Sequence, residues 1–121
     1  MHYLCAMTDI KQSGYLIAIC TVPDQATASL LADKLVSAGL AACVNIVPGI
    51  QSVYAWQGKI EQDNELLLMI KTKSSVFSEL EQLILQHHPY ELPEIIAVSI
   101  EAGSTAYLDW INNAVGTKHA S

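Results

Sequence analysis

Apolar residues recur along the chain in two rhythms, and the alternation between them lays out the elements. Tyr15-Leu-Ile-Ala-Ile-Cys-Thr-Val22 is a short, nearly continuous apolar run with β-branched residues, the pattern of a buried central strand. Pro23-Asp24 breaks it. Thr27, Leu31, Leu35 and Ala38 then follow at helical spacing, with Asp24 or Thr27 placed to cap the helix and Gly39 to end it. Leu40 to Val47 reads as a second strand, Pro48-Gly49 as a bulge or kink, and Gln51 to Trp56 as its continuation. Gln57-Gly58-Lys59 signals a turn, so a long hairpin returns from Glu61 to Lys73 around Leu66-Leu-Leu-Met-Ile70. Ser74 or Ser75 is expected to cap a second helix carrying Val76, Leu80, Leu83 and Ile84 inward. His88-Pro89 and Leu92-Pro93 stop it, because proline pushes the residue before it out of the helical region. Glu94 to Ile100 reads as a fourth strand, and Ser104 caps a closing helix with Tyr107, Leu108 and Ile111.

The order is β-α-β-β-α-β plus a terminal helix, an α+β chain with the ferredoxin-like split βαβ topology and an antiparallel sheet. Residues 14–115 form one domain in this reading, with a flexible N-terminal tail at 1–13 and a C-terminal tail at 116–121. The two hairpin arms exceed the usual five or six residues of a strand, and such strands leave open edges unless another chain covers them. Topology also brings distant residues together. If strands 1 and 4 are neighbours, the end of the first strand, the end of the second helix and the start of the fourth strand meet at one end of the sheet. Cys20 is thereby drawn toward His87 and His88, with His87 expected on the apolar stripe and His88 about 100° away from it.

Composition narrows what this meeting point can do. The 121 residues are 51% hydrophobic and only 15% charged, which points to surface covered by other subunits. A formal net charge of −6 and the absence of any arginine argue against nucleic acid and against phosphate chemistry built on guanidinium forks. No stretch approaches a membrane span, and the N-terminus lacks the basic-then-apolar order of a signal peptide. Three cysteines without C-x-x-C spacing fit a reducing cytoplasm with free thiols. Cys43 reads as core and Cys5 falls in the N-terminal tail. No nucleophile–base–oxyanion set is visible, so no enzyme is expected.

Cys20, His87 and His88 offer one thiolate and two imidazoles, a donor set suited to copper or zinc. Two readings of them stay open on the residues alone. One is a buried thiol beside a histidine favoured by the helix dipole. The other is a metal or partner site.

Several motifs in order resemble one family: Cys20-Thr-x-Pro-Asp24, Leu40-Ala-Ala-Cys-Val-Asn-Ile-x-Pro-Gly49, Ser52-x-Tyr-x-Trp-x-Gly-Lys59, Lys71-Thr72, His88-Pro-Tyr-x-x-Pro-Glu94 and Tyr107-Leu-x-Trp110. From about Tyr15 to Val115 the chain resembles the CutA divalent-cation tolerance proteins. The resemblance implies a cytoplasmic homotrimer similar in architecture to the PII signalling proteins, and a part in tolerance of copper and other divalent cations. It also implies Cys20, His87 and His88 as copper (Cu2+) ligands, with Zn2+ a further candidate. The runner-up is a PII-like sensor that binds a small-molecule effector in the clefts between subunits.

Overall fold

A computed structural model describes residues 14–120 of the chain, so the N-terminal tail and Cys5 lie outside the described residues. The element order is β1 (Tyr15–Val22), α1 (Gln25–Ser37), β2 (Cys43–Trp56), β3 (Lys59–Lys73), a 3-10 turn (Ser74–Val76), α2 (Phe77–His87), β4 (Ile96–Ser99) and α3 (Thr105–Ala114). One four-stranded antiparallel sheet runs β2-β3-β1-β4, so the ferredoxin-like order expected from the sequence is the one observed.

Local chemistry explains most boundaries. Asp24 Oδ1 accepts from Thr27 N at 2.8 Å and opens α1, and this bond holds the Asp24 carboxyl below its usual range. Ser104 Oγ likewise accepts from Tyr107 N at 3.2 Å and opens α3. The hairpin closes with Gln57 (φ 51) and Gly58 (φ 82) between the paired Trp56 and Lys59, the two positive φ values that a type I′ turn requires. The register shifts between Val47 and Ile50, where Pro48-Gly49 stands.

Two expectations change. The second helix starts without a serine cap: Ser74–Val76 form the 3-10 turn, and neither Lys73 nor Val76 supplies a capping side chain. Strand β4 is only four residues long, starting at Ile96 rather than Glu94, because Pro93 can donate no ladder bond and residues 90–95 run as a loop.

The core lies between one sheet face and the two long helices. Ala18, Cys20 and Val22 of β1 and Leu68 and Ile70 of β3 are fully buried against Leu31 and Leu35 of α1 and Leu80 and Ile84 of α2. A smaller cluster at the opposite end of the sheet joins Ala42 to Ile111 and Val115. The chain after α3 does not hang free. Gly116 N donates to Gly39 O at 2.7 Å and His119 N to Ser37 O at 2.8 Å, tying residues 116–119 to the end of α1.

Candidate metal site and the cleft beside it

Strand β1 outruns β4, and that mismatch builds the site. The ladder between them ends at Ile19↔Ile96, so the carbonyl of Thr21 has no strand partner. His88 supplies one. Its Nε2 lies 2.8 Å from Thr21 O, and its Nδ1 accepts from Tyr90 N at 3.1 Å. An Nδ1 that accepts leaves the proton of the neutral ring on Nε2, so Nε2–H donates to Thr21 O. Cys20 Sγ also donates to Thr21 O, at 3.6 Å. Thiol and imidazole thus converge on one main-chain oxygen.

His88 can do this because it is no longer helical. Helix α2 ends at His87, and His88 (φ −81, ψ 135) turns into extended backbone before Pro89. The orientation read from helical spacing is therefore reversed: His88 is buried at 8% exposure, whereas His87 is exposed in the groove between α1 and α2 with Lys34, Glu79 and Lys118. Cys20 and His88 come together; His87 does not join them. Among the described residues no three His, Cys, Asp or Glu side chains are gathered closely enough to hold a metal ion.

Burial pushes the Cys20 thiol up to about 12, and the nearby carboxylates of Glu94 and Glu65 add to the shift. Cys20 is therefore a protonated, fully buried thiol, whose ligation would need a metal ion able to displace its proton. The thiol and the imidazole fit copper or zinc in softness. His88 fits less simply, because ligation through Nε2 requires it to give up the bond to Thr21.

Next to this pair lies a cleft of about 760 Å³ between the outer hairpin and the loop after α2. Tyr90 Oη donates to Glu65 Oε2 at 2.7 Å, and the Tyr90 ring lies 4.7 Å from that of His88. One loop residue thus ties the histidine to β3. Burial, then the bond to Glu65, raises the Tyr90 hydroxyl's pKa. Across the cleft, Tyr54 Oη donates to Asp63 Oδ2 at 2.5 Å, which lifts the Tyr54 hydroxyl to about 12. Glu65 and Asp63 were not legible as site residues. The only sequence signal was an acidic alternation Glu61-x-Asp63-x-Glu65 on β3, whose partner in the loop after α2 leaves no local pattern.

Together these features define an α+β domain of ferredoxin-like topology, with an overlong hairpin and a polar cleft at the end where β1, α2 and β4 meet. The sequence profile of the CutA1 divalent ion tolerance protein family matches residues 16–114, and the chain belongs to that family. The "Divalent-cation tolerance protein CutA" of Thermus thermophilus is 45% identical over 83% of this chain and 97% of its own length. The "Protein CutA, chloroplastic" of Arabidopsis thaliana is 46% identical over 82% of this chain, but this chain spans only 54% of that longer protein. Among solved structures, the divalent cation tolerance protein of Thermus thermophilus superposes with a TM-score of 0.83 at 44% identity, covering 84% of this chain and 99% of its own.

Proposed function

We propose that this protein is a non-enzymatic, cytoplasmic homotrimer that binds copper and acts in tolerance of divalent cations. The observation that carries the reading is the convergence of Cys20 Sγ and His88 Nε2 on the carbonyl of Thr21. These two residues are the primary ligands, and Zn2+ is the next candidate on donor chemistry. His87 completes the set only when the last turn of α2 unwinds, a change that Pro89 favours by excluding helical backbone at His88.

The trimer reading is supported by what the helices leave bare. Cross-strand pairing places Ile17, Ile19, Met69, Ile96 and Val98 on one sheet face, with the bonded Lys71–Asn45 pair toward β2, and Ile96 and Val98 are about half exposed, at 53% and 50%. An apolar sheet face of this kind asks for a covering layer. No helix among the described residues is long and apolar enough to cross a membrane, so identical subunits are the proposed cover.

Calorimetric titration with Cu2+ and Zn2+ tests the site. Cys20→Ser and His88→Ala are each expected to weaken copper binding at least about tenfold, and His87→Ala by less. Copper binding by Cys20→Ser equal to that of the parent would overturn the reading. A second reading is favoured by the cleft itself: its volume and its exposed Tyr54 and Trp56 suit a small-molecule effector, as in a PII-like sensor.

A further inference from the structure

The cleft carries a more specific assignment, which rests on reading it as a ligand site. Its hairpin wall presents the rings of Tyr54 and Trp56, exposed at 41% and 40%, and its loop wall presents Tyr90. Four carboxylates line it as well: Asp63 and Glu65 from β3, and Glu91 and Glu94 from the loop. None of the lining residues is lysine, arginine or histidine, so the negative charge has no counter-charge within the walls. Pairing of Ser52 with Asp63, Tyr54 with Glu61 and Trp56 with Lys59 puts the two aromatic rings, Asp63 and Glu61 on one hairpin face, where Lys59 beside Trp56 lies outside the cleft lining.

A point cation would need oxygens converging at about 2.0–2.6 Å. The four carboxylates do not converge, since no such group of three exists among the described residues. They line the cleft together with the aromatic rings without clustering, and Tyr54 and Tyr90 each donate a hydrogen bond to one of them. Spaced negative charges between ring faces match a ligand whose positive charges are also spaced and whose linkers are apolar. We propose that this cleft binds a linear aliphatic di- or polyamine. Ammonium groups pair with Glu65, Asp63 and the loop glutamates, and the methylene linkers lie on Trp56 and Tyr54.

Trp56 reports occupancy directly once the other tryptophan is removed, so the experiment uses the full chain carrying Trp110→Phe. Spermidine and putrescine are titrated against Trp56 fluorescence and by calorimetry, beside 1,4-butanediol, Mg2+ and a panel of neutral and anionic metabolites. Saturable spermidine binding is expected, with no response to butanediol and no displacement by equimolar Mg2+. Glu91→Gln with Glu94→Gln should weaken it about tenfold, the scale of losing charge-assisted hydrogen bonds. In calorimetry Trp56→Leu should weaken it several-fold. Absence of saturation by either amine, or equal competition from Mg2+, overturns the amine assignment. If a neutral or anionic metabolite then saturates the Trp56 signal, the cleft remains a ligand site and only the amine class falls. If none of the compounds moves it, the ligand-site reading falls too.

Discussion

Strand β3 passes through two environments within fifteen residues. In its inner half Leu68, Ile70 and Thr72 alternate with their neighbours as fully buried positions, packed under α1 and α2. In its outer half the same strand, paired to the same partner, is mostly exposed, and Ile60 reaches 78% exposure. The inner half is laddered on both sides, to β2 and to β1, whereas the outer half is paired to β2 alone and has no helix over it. The inner half is stabilised by apolar burial, at about 25 cal/mol per Å² removed from water. The outer half keeps its apolar groups in water and invites another molecule to cover them.

Substitutions in the two halves should separate these roles. Leu31→Ala, beneath the inner half, is expected to cost about 2–5 kcal/mol, read as a lower urea midpoint at unchanged m-value. Gly39→Ala comes next, with a loss of more than about 1 kcal/mol. A Cβ there would stand 2.5 Å from Thr117 O on backbone at φ +73, and a C-terminal truncation before Thr117 should relieve the clash but not the φ strain.

The third prediction follows from the thiol under the helices. Its pKa is raised from 9.0 to about 12 in the folded state, so its contribution to stability is complete below pH 9 and is lost as pH rises toward 12. The unfolding midpoint of the parent should therefore fall through that window, and Cys20→Ala should flatten the fall. An identical alkaline slope in both proteins would show that the thiol is not the source.

The smallest effect belongs to the outer half. Ile60→Ser should change subunit stability by no more than about 0.5 kcal/mol. Its effect should appear instead as a concentration-dependent dissociation of the proposed trimer in sedimentation. If Ile60→Ser unfolds the chain as Leu31→Ala does, the contrast between the two halves is wrong.

What could be read from the sequence follows the same division. The element order, the cap at Asp24, the hairpin turn and the bulge at Pro48-Gly49 were legible because each is encoded within a few neighbouring residues. The meeting of Cys20 with the end of α2 followed from topology. Which histidine arrives was not legible, since it depends on where the helix ends and on an unpaired carbonyl 67 residues away. The link from Tyr90 to Glu65 spans 25 residues and leaves no periodic trace. The missing serine cap on α2 shows a local preference overridden by the way the chain leaves β3.

The oxygen on which Cys20 and His88 converge belongs to the main chain. Any residue at position 21 would present the same acceptor, so selection can preserve the junction without preserving threonine. Its loss cannot be tested by truncating a side chain. Replacement of the peptide bond after Thr21 by an ester would weaken the carbonyl as an acceptor while leaving every side chain in place. The junction is thus a property of chain path, and relatives can share it without sharing the residue that supplies it.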